Sequence, residues 1–193
     1  MNQRPPAPFN QGEIAAALAA VPAMFQAEVQ AMPETVLRWR PAVGEWCVLE
    51  ILGHLIEAEE RGFAGRIRAI LAAEQPTFAT WDPNAVALAR KDHRRDPAPL
   101  LAEFIAVRTA SVDLVAGLTQ QDLQRSGDHP AVGRLTVQDL LHEWIHHDRN
   151  HVRQVLANVR EYVWPNLGGA QRFSGLETSG VSQQSGDSEL LLS

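Results

Sequence analysis

The chain has 193 residues, a formal net charge of −6, and 45% hydrophobic residues. This length is enough for one domain with a full hydrophobic core. The acidic balance disfavours a nucleic-acid partner, which would need a basic face. Cys47 is the single cysteine, so an intrachain disulfide is excluded, as is typical of a reducing cytoplasm. The chain start has no signal-peptide pattern and no run approaches the ~20 apolar residues of a membrane span, so we expect a soluble cytoplasmic protein without a membrane partner.

Four amphipathic stretches in chain order predict helices. Apolar residues recur at helical spacing in all four stretches, which cover residues 10–31, 48–74, 99–118 and 137–162. Pro22 lies inside the first stretch and predicts a kink there. Thr136 and Asp139 form a capping-box pattern ahead of the fourth helix, and Cys47 and Glu50 occupy the same places ahead of the second. This echo suggests a two-repeat bundle.

The connection between the second and third predicted helices, residues 75–98, is long and rich in proline and charge. A long connection allows two consecutive helices of a bundle to run parallel. We therefore predict an all-α four-helix bundle over residues 1–170. From Ser174 onward the chain is mostly Ser, Gly, Gln and Glu without a core pattern, so residues 171–193 are predicted to be a disordered tail.

Four of the seven histidines lie in the fourth predicted helix, as two pairs with the i, i+4 spacing that places both rings on one face. Successive helical residues are about 100° apart, which places His151 inside the apolar stripe and His147 at its edge. His142 and His146 fall on the opposite, polar face and are expected to lie in water. The sequence thus distinguishes an inner pair from an outer pair.

His54 lies on the shoulder of the apolar face of the second predicted helix, next to Gly53, which would allow another backbone to approach closely. One histidine from this helix and the inner pair from the fourth can form a facial site with an open metal position. We therefore predict that His54, His147 and His151 bind a divalent metal ion. The alternative is that they are hydrogen-bonded core histidines.

Glu59 and Asp148 also fall within the apolar stripes of their helices. A buried carboxylate needs a partner, because an unpaired buried charge is strongly unfavourable. One interpretation is a structural ion pair with Arg66 or Arg149. The other is a carboxylate that orients a ligating imidazole, or a general base near the metal.

Two segments carry a family resemblance. Residues 39–61, with Trp46, His54 and Glu59, resemble the first signature of the DinB-like superfamily (the DinB/YfiT type), and residues 140–155, with His147 and His151, resemble the second. The resemblance covers residues 12–164. It implies an up-down-down-up bundle and a metal triad of the three histidines, with nickel, zinc or iron as the ion. It also implies a homodimer.

Known members of that family include thiol-dependent S-transferases and a mycothiol-dependent maleylpyruvate isomerase. The resemblance therefore suggests a metal-dependent enzyme, an S-transferase with a low-molecular-weight thiol or a hydrolase, acting on a small-molecule substrate. The alternative is a non-catalytic, dimeric metal-binding bundle of a stress-related kind. Cys47 stands where the family usually has Ser or Thr. A helix N-terminus lowers a thiol pKa, but we interpret Cys47 as a small buried residue rather than a nucleophile.

Overall fold

The computed structural model describes residues 7–173. The disordered tail was predicted for residues 171–193; of these, residues 171–173 are helical, and residues 174–193 lie outside the described residues. The described part of the chain is mostly helical. Its helices are α1 (Gln11–Ala19), α2 (Val21–Ala31), α3 (Glu34–Leu37), α4 (Val48–Glu57), α5 (Ala64–Ala72), α6 (Pro83–Arg90), α7 (Pro97–Ala116), α8 (Gln120–Leu123) and α9 (Val137–Val163). A π-helical segment, Ala58–Phe63, joins α4 to α5 without a break.

Four bundle helices are present as predicted: α1 with α2, α4 with α5, α7, and α9. The first is divided at Ala20, and Pro22 lies in the first turn of α2, where its missing N–H leaves no helical hydrogen bond unmade. Both predicted capping boxes form, at Cys47 and at Thr136.

The helix directions follow from contacts between helix ends. Gln11, at the start of α1, donates hydrogen bonds to backbone carbonyls at the end of α7, so the first and third bundle helices are antiparallel. Arg125, just beyond α7 and α8, donates to the carbonyl of Leu71 near the end of α5, so the second and third are parallel. The backbone N–H of Phe9 donates to His142 near the start of α9, so the first and fourth are parallel. The topology is therefore up-down-down-up.

The long connection between α5 and α7 is structured and tied to the second bundle helix by ion pairs. It contains α6 and the 3-10 turn Asp92–Arg94. Arg90 forms ion pairs with Glu57 in α4, Asp92 in the turn and Glu103 in α7. The Asp92 carboxylate lies against Gly53, where a Cβ atom would come within 1.8 Å of its Oδ2. The close approach predicted at Gly53 therefore exists, but the approaching group is a side chain and not a backbone.

A short antiparallel hairpin, β1 (Ser126–His129) and β2 (Gly133–Thr136), precedes α9 and was not predicted. Gly133 begins β2 at a φ of +81°, a conformation that favours glycine. Thr136 ends β2 and also caps α9, so the hairpin leads directly into the helix that carries His147 and His151.

The buried apolar residues form two clusters at different levels of the bundle. One cluster takes its residues from α2, the first part of α4, the first part of α7 and Val155 of α9. The other takes them from α1, the π-helical segment, α5, the end of α7 and the first part of α9. Between these two levels each of the second, third and fourth bundle helices places buried polar side chains: His54, Glu59, Arg108, Ser111, His147, Asp148 and His151.

One stretch of the described chain, Gln11–Ala31, is long and apolar enough to cross a membrane by length and composition alone, with a hydropathy of 1.3. No such run was expected from the sequence. The stretch is the α1–α2 pair, and Ile14, Leu18 and Phe25 pack into the two apolar clusters. The core helix of a bundle passes the same test, so this stretch is weak evidence for a membrane span.

Replacing Gly53 with alanine should destabilise the fold, because the new methyl group would displace the Asp92 carboxylate from its ion pair with Arg90. Overpacking of this kind lowers the free energy of unfolding by about 1–3 kcal/mol. Gly117→Ala is a matched control, since its Cβ atom would meet no neighbour closer than 3.6 Å. Urea denaturation of both variants measures the difference. Equal stability of the two variants would contradict the close approach.

Candidate metal centre

The three predicted histidines converge on one point between the second and fourth bundle helices. The Nε2 atoms of His54 and His147 are 3.0 Å apart, and those of His147 and His151 are 3.1 Å apart. All three side chains are buried, with 4–8% of their surface exposed. His147 and His151 are one helical turn apart on α9, so the backbone of a single helix sets their spacing.

The separations between these nitrogens suit a shared metal ion. Nitrogens that bind an ion at about 2.0–2.1 Å with bond angles of about 90–110° lie roughly 2.8–3.4 Å apart. His151 Nδ1 is 2.9 Å from the side-chain oxygen of Gln154, which can only accept a hydrogen bond. The Nδ1 atom of His151 therefore carries the proton, and its Nε2 atom presents a lone pair to the other two rings.

Burial keeps two of the three imidazoles neutral. It lowers the pKa of His54 well below its ordinary value, and the nearby rings of His151 and His147 lower it further. Burial, followed by the proximity of His147, lowers the pKa of His151 to about 3. A metal ligand must offer an unprotonated nitrogen, so at neutral pH these two rings are in the binding form.

The outer pair lies outside the cluster. His146 is exposed, as predicted, whereas His142 was expected to lie in water and is half-buried. His146 has 57% of its side chain exposed. His142 is half-buried: its Nε2 atom accepts a hydrogen bond from the Phe9 N–H, and its Nδ1 atom donates to the carbonyl of Gln138. With both nitrogens of His142 engaged, the outer pair does not form a second metal site with i, i+4 ligands.

Three aromatic rings surround the histidine cluster. The ring of Trp46 lies 4.8 Å from that of His54, and the ring of Phe63, in the π-helical segment, lies 5.2 Å from that of His147. Trp81, from the connection, stacks on His54 at 5.8 Å with an interplanar angle of 22°. No role was predicted for Gln154 or Trp81 from the sequence. The signal for Gln154 was its i+3 spacing from His151, whereas Trp81 lies in a loop without periodicity.

Glu59 and Asp148 form a buried cluster around one arginine. This arginine is neither of the two that were proposed as partners from the sequence. Arg108 of α7 donates to Glu59 Oε1 from Nε at 2.6 Å and to Asp148 Oδ2 from Nη1 at 2.5 Å. The predicted partners were wrong: Arg149 donates to the carbonyl of Ala17, and Arg66 lies over the ring of Phe78. All three members of the Arg108 cluster are 1% exposed.

The two carboxylates of this cluster ionise differently. Burial raises the pKa of Glu59 to about 7, against the opposing attraction of Arg108. Burial also disfavours ionisation of Asp148, but Arg108 outweighs it and holds the pKa of Asp148 below its ordinary value. Asp148 Oδ1 is 3.9 Å from His147 Nδ1, which is beyond hydrogen-bond distance. Asp148 is therefore near a predicted ligand without orienting it by a hydrogen bond.

Cys47 is fully buried at the start of α4. Its backbone N–H donates a hydrogen bond to the carboxylate of Glu50, three residues later. Burial raises the pKa of the Cys47 thiol to about 11. A thiol with this pKa is almost entirely protonated at neutral pH and reacts poorly as a nucleophile. The contacts of Cys47 agree with its interpretation as a small buried residue.

The family model described as the DinB superfamily matches residues 17–155, a span that contains all three histidines. The chain belongs to the DinB superfamily. This membership agrees with the resemblance noted in the two sequence signatures, and it covers the bundle from the end of α1 to the third quarter of α9.

One relative of this chain is YfiT from Bacillus subtilis (strain 168), whose name describes it provisionally as a metal-dependent hydrolase. It is 24% identical to this chain over 145 residues, covering 75% of this chain and 81% of YfiT. The solved structure of YfiT is described as a probable metal-dependent hydrolase with an unusual four-helix bundle topology. It matches with a TM-score of 0.74 at 22% identity, over 84% of this chain and 94% of YfiT, which shows that the two share a fold.

Replacing Arg108 with methionine should lower the free energy of unfolding by about 3–5 kcal/mol, because Glu59 and Asp148 would lose their shared buried cation. Arg149→Met is the matched control on α9, since Arg149 is half-buried and, among the described residues, donates only to a backbone carbonyl and a thioether. We expect the control to change stability by about 1 kcal/mol or less. Chemical denaturation of the two variants measures both effects, and equal losses would contradict the cluster.

The stability of the metal-free protein should depend on pH through three buried groups. Below the ordinary histidine pKa of about 6.5, His54 and His151 bind protons in the unfolded chain but not in the folded protein. Their contribution to the free energy of unfolding therefore falls as the pH falls. Glu59 acts in the opposite direction, because between about pH 4.5 and 7 the fold binds a proton that the unfolded chain has released. The unfolded chain thus binds two protons at the histidines, whereas the fold binds one at Glu59. The free energy of unfolding should therefore fall by about 1.4 kcal/mol per pH unit from pH 6 to pH 5.

Denaturation of chelator-treated protein at pH 5.0, 5.5 and 6.0 checks this slope. Glu59→Gln should roughly double the slope, and His151→Asn should bring it close to zero. His146→Asn is the control, because this ring is exposed and lies outside the buried cluster. A wild-type stability that rises toward pH 5 would contradict the neutral, buried histidines.

Proposed function

We propose that this protein binds one divalent metal ion through His54, His147 and His151 and uses it to hydrolyse a small molecule. The observation that carries the proposal is the convergence of three buried Nε2 atoms. That of His147 lies 3.0 Å from that of His54 and 3.1 Å from that of His151. A group of three histidines whose ligand atoms lie within 4.8 Å of one another has the composition of a metal site.

The number of ligands supports a catalytic rather than a closed structural ion. Within residues 7–173, the group contains three metal-binding side chains and no fourth His, Cys, Asp or Glu. Catalytic zinc sites typically have three protein ligands and leave one position for water or substrate, whereas structural sites have four. A bound divalent ion would supply a water of lowered pKa as the nucleophile near neutral pH.

The surrounding residues prepare the three histidines for this role. Gln154 fixes the tautomer of His151, and burial keeps His54 and His151 unprotonated. Trp46 and Phe63 cover the rings of His54 and His147 and limit the access of bulk water. Low polarity around a site strengthens the electrostatic interactions within it.

The contacts of Glu59 and Asp148 favour a structural role over that of general base. Both carboxylates accept hydrogen bonds from Arg108, and Asp148 is held ionised by it. A base must reach the proton that it removes, whereas Glu59 Oε1 and both Asp148 oxygens accept hydrogen bonds from the guanidinium instead. We therefore propose that the two carboxylates fix the position of α9, and with it His147 and His151.

The choice of hydrolysis over S-transfer rests on the description of YfiT as a probable metal-dependent hydrolase. Thiol-dependent S-transfer would use the same three ligands and would differ in requiring an added low-molecular-weight thiol for turnover. Nickel, zinc and iron are all compatible with imidazole ligands. Homodimer assembly and a cytoplasmic location stay predictions from the sequence.

Elemental analysis of protein purified without a metal-affinity tag tests the proposal. We expect about one nickel, zinc or iron per wild-type chain, and loss of the ion in His147→Ala, which removes a ring whose Nε2 atom lies 3.0–3.1 Å from those of the other two. His146→Ala is the matched control, since it changes the adjacent but exposed ring.

Loss of metal in both variants, or absence of metal from wild type after incubation with nickel, zinc and iron salts, would overturn the metal site. If the ion is present as expected, a panel of small esters and amides is assayed with and without added thiol. Metal-dependent turnover without a thiol supports hydrolysis. Turnover that requires a thiol supports S-transfer, and no turnover with a fully occupied site supports the non-catalytic alternative.

A further inference from the structure

The connection between α5 and α7 places an aromatic ring against the histidine cluster. Trp81 lies near-parallel to the ring of His54, at 5.8 Å between ring centroids and an interplanar angle of 22°. Trp46 lies 4.8 Å from the ring of His54 and is buried, whereas Trp81 is half-buried. Of these two neighbours of His54, Trp81 is therefore the one on the solvent side, where a ligand of a bound ion would enter.

The ring of Trp81 is held in place by the rest of the connection. Asp82, the next residue, caps α6 by accepting the backbone N–H groups of Asn84 and Ala85. At the other end of α6, Arg90 pairs with Glu57 of α4, three residues beyond His54. The segment that carries Trp81 is thus joined through α6 to α4, and the ring itself packs against an apolar cluster of the bundle.

The indole N–H of Trp81 is a second indication that something binds beside it. Its nitrogen is buried and has no hydrogen-bond acceptor within the described part of the chain. Buried indole N–H groups usually find a partner. An acceptor oxygen of a bound molecule would satisfy this donor while the flat face of that molecule rests on the ring.

We propose that Trp81 determines the ligand specificity of the histidine site by favouring ligands that carry a planar group next to their metal-binding oxygens. This inference rests on the proposed metal function and names the class of molecule it accepts. Stacking on the ring stabilises a planar group, and the N–H donor favours an oxygen acceptor. An aliphatic ligand with the same metal-binding oxygens would gain neither a stacking contact nor the buried area.

Two hydroxamates of matched chemistry test this proposal. Acetohydroxamate and benzohydroxamate share one chelating group and differ in a methyl or phenyl substituent. Both are titrated into the full chain loaded with Co²⁺, whose visible absorption reports changes in its ligands. Wild type should bind benzohydroxamate more tightly than acetohydroxamate. Trp81→Ala should weaken benzohydroxamate about tenfold, the size of an aromatic contact with its buried area, and leave acetohydroxamate unchanged.

The variants separate the possible causes. Trp81→Phe keeps an aromatic face without the N–H and should retain most of the preference for the phenyl ligand. Trp164→Ala, at the end of α9 and far along that helix from His151, is the control for removal of a tryptophan and should behave as wild type. Cobalt content is measured for every variant and should stay at about one per chain.

Three results would overturn the proposal. An equal loss of both hydroxamates in Trp81→Ala, or a loss of cobalt, would make Trp81 a support of the site rather than a wall for ligands. Tighter binding of benzohydroxamate in Trp81→Ala would make the ring an obstacle. Failure of wild type to take up any metal would overturn the proposed function itself, whereas normal uptake with no phenyl preference would overturn only the role of Trp81.

Discussion

The bundle depends on a single buried guanidinium. Arg108 in the third bundle helix donates to Glu59 in the second, to Asp148 in the fourth, and to the carbonyl of Leu18 in the first, so one side chain contacts all four helices. A cation in an apolar interior is tolerated only with compensating partners, and these partners have to be supplied at one level of the bundle. That requirement fixes how far each helix is shifted along its neighbours. Because Asp148 follows His147 directly, the same requirement fixes the height of the histidine cluster.

The polar layer also explains why there are two apolar clusters instead of one continuous core. Above and below the layer, the helices pack through Leu, Ile, Val and Phe. Within it, Arg108 lies over the rings of Phe104 and Trp144, one from each cluster, so its flat faces continue the apolar packing while its edge donates to the carboxylates. Phe63 stacks on Trp144 and touches His147. These contacts join the histidines to the apolar cluster that contains α1 and α5, called here the lower cluster.

The features that could be predicted from the sequence are those that helical periodicity determines, namely which residues of a helix face the interior. The inner histidine pair on α9 was separated from the outer pair because both rings of a pair lie on one helix face, and one rotation angle decides which face is buried. The third bundle helix shows where that reasoning failed. Arg108 continues the buried spacing of Leu100 and Phe104, but an arginine in an apolar stripe was not considered as the partner of Glu59 and Asp148. Its burial becomes favourable only through carboxylates on two other helices, which no single-helix pattern contains.

The connection and the hairpin were beyond periodic analysis for a different reason. The position of Trp81 depends on ion pairs between Arg90 and residues that are distant in sequence, and on the absence of a side chain at Gly53. The strands β1 and β2 have four residues each, too few for alternation to stand out from the surrounding loop. Glu50 and Gln154 show the opposite case, since short-range spacings of three residues set their contacts and are readable from the chain itself.

The π-helical segment Ala58–Phe63 separates the part of the second bundle helix that carries His54 from the part that carries Ile67. A π turn holds one more residue than an α turn, and such segments are understood as single-residue insertions into a regular helix. Removing one residue here would restore a continuous α-helix and rotate one part against the other by about 100°. His54 and the lower apolar cluster could then no longer both face inward. The segment thus serves as an angular offset that lets one helix present its ligand and its core residues to the same interior.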